Sequence, residues 1–365
     1  MNNKTKTVNV EETRGSAKAE VLLIALDVHA DRIALRAQFD SSQPEPGQMM
    51  DPHRFRQWVL KQRDRARRLA CCYEAGPFGF GLARFLREHA IECLVVAPEN
   101  LDSKRRRVKT DKADALQLLR RLREYTLGNR KAFSVVRVPT REQEQKRCEL
   151  RLREQLKDTR QRIQKQGKSL LLQQGIKVSS NWWKDAVWET LKEDLEDWLV
   201  DLLEPLRRCI EKVDQEEQKR CEELKSLELP EWNFVGLGPL CYQQIQREIC
   251  DWNRFNNRRN VAGYTGLCPS VHISNGQGHY GSVNKHGNPR LRWALVELAW
   301  RIKRYQPGYW KLKKLQDAFE GKDRRQAGQR KRAIVALARQ LAIDLWRLAT
   351  GQTTPEALGL RRKEA

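Results

Sequence analysis

The hydrophobic pattern of the first 140 residues alternates between short apolar runs and helical stripes. Val21–Leu26 is an apolar run of strand length, and Ile33–Phe39 predicts a second strand after the polar turn His29–Arg32. Two further buried strands are predicted at Leu69–Tyr73 and Cys93–Ala97. Because the segment between these last two strands is helical in pattern, it indicates a parallel crossover. We therefore expect an α/β domain with a mixed sheet and helices on its faces.

Three helical stripes accompany the predicted strands. Arg54–Leu60 forms the first, and Pro77 is expected to begin the second, because proline fits the first position of a helix. The inner face of the second helix carries Phe78, Leu82, Phe85 and Leu86. The third stripe recurs at the helical period and consists of Ala115, Leu118, Leu119, Leu122 and Tyr125. Extending it toward its N-terminus places Asp111 and Asp114 on one face of the helix.

Residues 140–229 predict a long helical region that is charged and poor in glycine. Its apolar residues follow alternating three- and four-residue steps, the spacing of a coiled-coil seam. The stronger seam consists of Leu195, Leu199, Leu202, Leu206, Cys209 or Ile210, and Val213, and a weaker one of Cys148, Leu152, Ile163 and Leu170. Pro205 predicts a kink or a restart. We expect a helical hairpin, used for self-association or closed within one chain. The tryptophans after Asn181 serve for packing or for base stacking, and packing is favoured.

The remaining chain predicts a mostly α-helical domain. Phe234–Leu240 predicts a turn between helices, which either caps a helix or approaches a phosphate. The first half of residues 263–301 is rich in Gly, Ser, Asn and His, and it predicts a loop that contains Ser274. From Arg290 the pattern changes to an amphipathic helix with Leu291, Ala294, Leu295, Leu298 and Ala299 inward. Lys331–Leu348 predicts the closing helix.

Composition narrows the classes of function. The net charge is +23 over 365 residues, which indicates a polyanionic partner, nucleic acid first and an anionic membrane surface second. The sequence contains no apolar segment long enough to predict a membrane span. The nine cysteines are odd in number and contain no C-x-x-C pair, so we expect reduced intracellular thiols. Residues 1–20 lack the apolar core of a signal peptide and predict a disordered tail.

Four carboxylates are candidates for a metal site. Asp27 and Glu74 each stand at the C-terminal end of a predicted strand, where open α/β sheets place ligands, although either could be a turn residue. Asp111 and Asp114 would reach this edge from the third helix, or simply cap its N-terminus. Carboxylate oxygens suit Mg²⁺ or Mn²⁺. Two such ions can clamp the attacking and leaving oxygens of a displacement at phosphorus.

Basic residues and one serine complete the candidate chemistry. We assign nucleic-acid contacts to Lys104, Arg105, Arg106, Arg107, Lys109, Lys112, Lys285, Arg290 and Arg292. The hydroxyl of Ser274 becomes a nucleophile when a base or a metal activates it. A loop serine is most often structural, however, and the physics of the sequence alone does not select it.

Two sets of motifs resemble the DEDD transposases of bacterial insertion sequences, a group that includes the pilin-gene-inverting recombinase. The N-terminal set is LDVHAD, YEAGPFGFGLARFL, LVVAPEN and KTDKADALQLLR. The C-terminal set is FVGLGPL, VAGYTGLCPS, SNGQGHYGSVNKHGNPRLRWAL and KRAIVALARQLAIDLW. The resemblance runs from about Val21 to Gly351.

This resemblance implies a domain plan. A RuvC-like domain with an RNase H fold would span residues 21–139, and its metal-binding acids would be Asp27, Glu74, Asp111 and Asp114. A coiled-coil dimerisation region would span 140–229, a serine transposase domain 230–351, and a short tail 352–365.

The resemblance also implies a mechanism and partners. Ser274 matches the serine that attacks DNA and forms a 5′-type phosphoserine intermediate. Ser270 and Ser282 remain alternatives, because Ile273 and Asn275 stand where the family often has small residues.

The implied partners are target and donor DNA and a structured non-coding bridge RNA. Homodimers would join into tetramers on DNA in the bacterial cytoplasm, at the nucleoid, and no membrane is implied. The active site would combine the acids of one subunit with the serine of another. Two rival functions are a Holliday-junction-type nuclease that uses water and a non-catalytic nucleic-acid-binding protein.

Overall fold

The computed structural model describes the backbone of residues 18–98, 111–274, 277–320 and 327–363. Within these ranges, the side chains of residues 111–113, 271–280, 320 and 327 lie outside the description. The chain divides into two compact units, Met1–Pro139 and Thr140–Ala365. The predicted division of the chain into a tail, three domains and a second tail stays a prediction.

The first unit contains a six-stranded mixed sheet. Its strands are β1 (Ala19–Val28), β2 (Ile33–Phe39), β3 (Gln48–Met50), β4 (Ala66–Glu74), β5 (Glu92–Val96) and β6 (Val135–Val136), in the spatial order β3-β2-β1-β4-β5-β6. β1 pairs antiparallel with β2 and parallel with β4, which in turn pairs parallel with β5. The predicted mixed sheet is therefore confirmed, and its strand order is compatible with an RNase H-like domain.

Helices cover both faces of this sheet. They are α1 (Pro52–Gln62), α2 (Gly81–Glu88) and α3 (Asp111–Thr126). Alternate residues of β1 point to opposite faces. Leu22, Ile24 and Leu26 pack with α1 and α2, whereas Leu23 and Ala25 pack with α3.

The start of α2 differs from the prediction. The helix begins at Gly81, four residues after Pro77, because residues 77–80 form a turn in which Gly79 has a φ of +68°. Phe78 consequently lies outside the helix with 47% of its surface exposed.

The second unit is almost entirely helical. Its elements are α4 (Arg141–Gln173), α5 (Asp185–Glu193), α6 (Asp197–Lys225), α7 (Pro239–Ile249), α8 (Arg258–Thr265), β7 (Pro269–Ser274), β8 (Gln277–Val283), α9 (Pro289–Tyr305), α10 (Trp310–Lys313), α11 (Gln316–Glu320) and α12 (Ala327–Ala349). Helices α7, α8, α9 and α12 share one hydrophobic core. Gly238 is the N-cap residue of α7 and Pro239 its first residue, so the Phe234–Leu240 segment is a capping turn. None of the helices that the structure describes is long and apolar enough to cross a membrane.

Helices α4 and α6 form the predicted hairpin within one chain. Their contacts run in opposite directions, since Arg153 of α4 reaches Cys221 of α6, whereas Arg160 reaches Asp214 and Glu217. A capping box at Thr140 begins α4, and α6 continues through Pro205 as one helix. Self-association through this region stays a prediction.

The seam between these helices differs from the predicted one. In α6 the buried positions Leu203, Ile210, Glu217 and Leu224 recur every seven residues, whereas Leu202 is 52% exposed. Cys148 and Leu152 of the predicted weaker seam are exposed as well, whereas Leu195 and Leu199 are buried, and of the alternatives Cys209 and Ile210 the structure buries Ile210. The reason is that charged pairs occupy the middle of the seam. The Arg160 Nε atom donates to Glu217 Oε2 at 2.8 Å, so a search for apolar spacing does not find this part of the seam.

The predicted packing role of the tryptophans is confirmed at the far end of the hairpin. Trp182, Trp183 and Trp188 are all buried beside Leu171. The Trp182 indole nitrogen donates to the Gln164 carbonyl at 3.1 Å, which draws its ring against α4 at Gly167. A Cβ atom at Gly167 would lie 2.1 Å from the Trp182 ring.

The substitution Gly167→Ala is expected to lower the free energy of unfolding by about 1–2 kcal/mol, because overpacking outweighs the gain in helix propensity. Urea unfolding followed by circular dichroism measures the change. Gly263→Ala is the matched control, since this helical glycine has nothing within 4 Å of an added Cβ. Equal or greater stability of Gly167→Ala would contradict the close packing of Trp182 on α4.

Candidate active site

Two carboxylates stand side by side at the C-terminal edge of the sheet. In the parallel pair of β1 and β4, Leu26 is in register with Tyr73, so that Asp27 and Glu74 are the next residues of the two strands. Both side chains are partly exposed, with 26% of the Asp27 side chain accessible. The apolar strands therefore end in an acidic pair at the position that open α/β sheets use for ligands.

Helix α3 covers the face of the sheet to which this pair belongs. Leu118, Leu119 and Leu122 pack against Leu23, Ala25, Ala70 and Cys72. Because strand side chains alternate, Asp27 shares the face of Ala25, and Glu74 shares the face of Cys72. The acidic pair thus lies on the helix-covered side of the sheet.

Asp114 belongs to the helix that contacts β4 near this edge. The Leu118 carbonyl lies 4.0 Å from the Cys72 Sγ atom, two residues before Glu74, and Asp114 is one helical turn before Leu118. Asp111 is the first residue of α3, but its side chain lies outside the described residues. Among the side chains that are described, no three His, Cys, Asp or Glu form a group that could hold a metal ion. The four-acid metal site stays a prediction.

The surroundings of the acidic pair include two further titratable groups. His29, which the sequence analysis did not select, has its Nε2 atom 3.4 Å from Asp27 Oδ2. The available signal was its place two residues after Asp27 in the LDVHAD motif. Cys72 is fully buried, and burial, with the neighbouring Cys93 and Glu74, raises the pKa of its thiol. It therefore stays protonated at neutral pH.

Ser274 lies in a β-hairpin where a loop was expected. β7 and β8 pair antiparallel, and Ser274 is in register with Gln277 at the tip. The pairing overrides the loop-like composition, because Val271 and Ile273 alternate along β7 as in a strand. The side chain of Ser274 lies outside the description. Of the alternatives, Ser270 donates its hydroxyl to the Ser282 carbonyl at 3.0 Å, near the root of the hairpin.

The root of this hairpin is a close contact between two glycines. Gly266 ends α8 with a φ of +65°, and a Cβ atom on Gly287 would lie 2.6 Å from the Gly266 nitrogen. The next residue, Asn288, caps α9 and donates its amide to Glu248 Oε2 at 2.7 Å. Arg147 of α4 reaches the same oxygen at 3.2 Å, and the Glu248 side chain is fully buried. The hairpin is therefore anchored in the core of its unit.

The predicted nucleic-acid contacts are only partly described. Lys104–Arg107 and Lys109 lie outside the described residues, as does the Lys112 side chain. Lys285 is exposed with a φ of +58°. Arg290 donates to Glu154 Oε2 at 2.7 Å, and Arg292 donates to the Thr265 and Lys285 carbonyls at 3.3 and 3.2 Å. Their role toward nucleic acid stays a prediction.

Comparisons with known proteins agree on one family. The model of the family described as "Transposase IS116/IS110/IS902 family" matches residues 233–313, from the capping turn before α7 to α10. The protein named "Putative transposase y4rJ" from Sinorhizobium fredii (strain NBRC 101917 / NGR234) is 30% identical over 311 residues, which cover 75% of each chain. The chain belongs to the IS116/IS110/IS902 family of transposases. A transposase cuts and rejoins DNA, so DNA is its substrate.

Two further relatives of the transposase extend over most of its length. "Putative transposase y4qE" from the same strain is 30% identical over 309 residues, covering 76% of this chain and 74% of the relative. The "Transposase for insertion sequence element IS1533" of Leptospira borgpetersenii is 25% identical over 305 residues, covering 76% of this chain and 84% of the relative.

Proposed function

We propose that this transposase exchanges DNA strands with Asp27, Glu74, Asp111 and Asp114 as metal-binding acids and Ser274 as the nucleophile. The observation that carries the proposal is the register of β1 and β4, which puts Asp27 and Glu74 next to each other on the face that α3 covers. Two carboxylates on neighbouring strand ends repel each other, and a bound cation offsets that repulsion.

The donor set fits a hard divalent cation. All four predicted ligands are carboxylates, and Mg²⁺ or Mn²⁺ prefers such oxygens. When bound, the ion supplies positive charge that stabilises the phosphate during displacement and favours ionisation of the attacking hydroxyl. The acids themselves would hold the ion, and His29 stands beside them, with its Nε2 atom 3.4 Å from Asp27 Oδ2.

The proposed chemical step is a transesterification. The Ser274 oxygen forms a bond to phosphorus, the bond from phosphorus to the 3′-oxygen breaks, and the DNA 5′-end stays attached to serine. The serine proton leaves to a base, and the released 3′-oxygen takes up a proton. Attack by a 3′-hydroxyl of another strand reverses these events, frees the serine and joins the strands. No high-energy cofactor is needed, because one phosphodiester replaces another.

The proposal includes a structured non-coding guide RNA that pairs with target and donor DNA. The supporting observation is the net charge of +23, which favours extensive contact with polyanions. Dimers that assemble into tetramers on DNA would bring the serine of one subunit to the acids of another.

Covalent trapping tests the serine. Wild-type protein is mixed with Mg²⁺ and substrate DNA labelled on the 3′ side of the cleavage site, and is then denatured. It is expected to carry the label, whereas Ser274→Ala is expected to carry none. Ser270→Ala and Ser282→Ala are matched controls from the same hairpin and are expected to retain the adduct. Normal cleavage by Ser274→Ala without any adduct would instead favour the nuclease that uses water, and an adduct lost only in Ser270→Ala or Ser282→Ala would reassign the nucleophile.

A further inference from the structure

A groove of about 450 Å³ lies between α4 and the start of α9. Its lining includes Glu154, Lys157 and Gln161 of α4, with Gln244 of α7 and Arg290 and Trp293 of α9 on the other side. These elements belong to one unit of the chain. Its lining contains neither Asp27 nor Glu74 and no residue of the β7–β8 hairpin.

The floor of the groove is fixed by hydrogen bonds. Glu154 Oε1 accepts a bond from the Gln244 amide at 2.9 Å, and Glu154 Oε2 accepts one from Arg290 Nε at 2.7 Å. Arg290 thereby neutralises Glu154, while its own side chain remains 40% exposed. The Glu154 carboxylate therefore gives little repulsion toward an anion in the groove.

A stripe of cations continues from the groove along α4. Lys157, Gln161, Lys165 and Lys168 follow steps of four, four and three residues, so they share one face and rise by about 6 Å per four-residue step. A second cavity of about 500 Å³ shares Gln161 with the first and is lined by Arg162 and Lys165. Among the residues that the structure describes, no carboxylate forms an ion pair with Lys157, Arg162, Lys165 or Lys168.

This stripe keeps a surplus of positive charge. Asp158 is the acidic residue that lines both cavities. Set against the three lysines of the stripe and the neighbouring Arg162, it leaves three positive charges. Cations that no carboxylate neutralises, held in a row on a rigid helix, attract a phosphodiester backbone.

An exposed indole stands at the mouth of the groove. Trp293 is 49% exposed on the solvent side of α9, and the Lys157 Nζ atom lies 5.7 Å from the centre of its ring. An aromatic face beside a basic track is the arrangement by which proteins hold unpaired nucleotides, because bases stack on the ring while cations follow the phosphates. The bases of a duplex are already stacked on each other, so they do not stack on such a ring.

We propose that this groove binds a single-stranded segment of nucleic acid, with one base stacked on Trp293 and the backbone along Lys157, Lys165 and Lys168. The inference does not depend on the proposed strand-transfer chemistry. The same chemistry serves single-stranded RNA and single-stranded DNA, which the experiment separates.

Fluorescence anisotropy with the full-length protein tests the groove. The probes are labelled 15-nucleotide oligo(rU), oligo(dT) and a 15-base-pair DNA duplex at fixed salt. Trp293→Ala is expected to weaken binding of a single strand about tenfold, because one stacked base is lost. Binding of the duplex is expected to change by less than about twofold, since no base stacks on Trp293 there.

Trp300→Ala is the matched control. Trp300 lies two turns further along α9, is 45% exposed and has the Lys303 ammonium 5.7 Å from its ring, yet it does not line the groove. Its loss is expected to leave single-strand affinity within about twofold, because it removes the same ring outside the track. The double change Lys157→Gln and Lys165→Gln is expected to reduce the slope of log affinity against log salt by about 1.4, which corresponds to two phosphate contacts.

Each outcome decides the proposal. If Trp293→Ala weakens binding of oligo(rU) alone, the groove binds RNA; if it weakens binding of oligo(dT) alone, the groove binds DNA. If it weakens binding of both, the groove accepts single strands of either kind. Unchanged single-strand affinity in Trp293→Ala, an equal loss in Trp300→Ala, or an equal loss for the duplex overturns it. Circular dichroism of each variant checks the fold, and Trp293→Phe, which keeps an aromatic face, is expected to restore most of the affinity.

Discussion

Replacing Asp27 with Asn is expected to lower the rate of DNA strand cleavage by about a thousandfold or more, with little change in stability. The substitution keeps the shape of the side chain but removes the negative charge that binds a divalent cation, and metal assistance contributes several kcal/mol to such reactions. The measurement is the rate of cleavage of a labelled DNA substrate at saturating Mg²⁺, together with binding of Mn²⁺ by calorimetry. Glu74→Gln is expected to give a similar loss, because Glu74 ends the neighbouring strand.

Asp31→Asn provides the matched control for this experiment. Asp31 is exposed in the turn between β1 and β2, four residues after Asp27, and its loss is expected to change the rate by less than about twofold. Combining Asp27→Asn with Glu74→Gln should cost little more than either alone, because residues that bind one ion act as a unit. Cleavage that survives the double change would remove the acidic pair from the mechanism.

Replacing Glu248 with Ala is expected to lower the free energy of unfolding by about 3 kcal/mol. The fully buried carboxylate accepts from Asn288 at 2.7 Å and pairs with Arg147 at 3.2 Å. Its removal leaves a half-buried amide and a largely buried guanidinium without this partner. Because Asn288 caps α9 beside the root of the hairpin, strand joining is expected to fall as well. Urea unfolding at 25 °C measures the loss of stability.

Two comparisons make the Glu248 result specific. Glu223→Gln removes an ion pair with Arg220 whose carboxylate is 48% exposed, and it is expected to cost less than about 1 kcal/mol. Glu248→Gln keeps an acceptor for Asn288 and should fall between the two. A loss in Glu248→Ala no larger than in Glu223→Gln would show that water replaces these partners, so that the site contributes nothing special to stability.

The strands of the sheet could be predicted because they are buried on both faces and read as continuous apolar runs. The ends of these apolar runs predict the ends of β1 and β4, and therefore the positions of Asp27 and Glu74. The approach of His29 to Asp27 could not be predicted, since it depends on the shape of the turn after β1. The prediction that α2 begins at Pro77 was wrong for a similar reason, because the left-handed Gly79 extends the turn beyond Pro77.

The second unit was less predictable because long-range pairing decides it. The hairpin of β7 and β8 has the composition of a loop, and only cross-strand pairing makes it a ribbon. Apolar spacing does not distinguish the adjacent residues Leu202 and Leu203, and it does not reveal a seam position that a buried charge occupies, as at Glu217. Glu248 gave no local signal at all, since its partners lie 101 and 40 residues away in the chain.

The buried charge at Glu217 also fixes the register of the α4–α6 hairpin. Two purely apolar helices can slip past each other by a heptad, but such a slip here would separate Glu217 from Arg160, its partner at 2.8 Å. The distance that the α4–α6 hairpin spans is therefore fixed. Arg147 at its base and Leu171 beside the tryptophans are 24 residues apart by their numbers, a span of about 36 Å along α4. The tryptophan cluster is therefore held at a fixed distance along α4 from Arg147 and its buried partner Glu248.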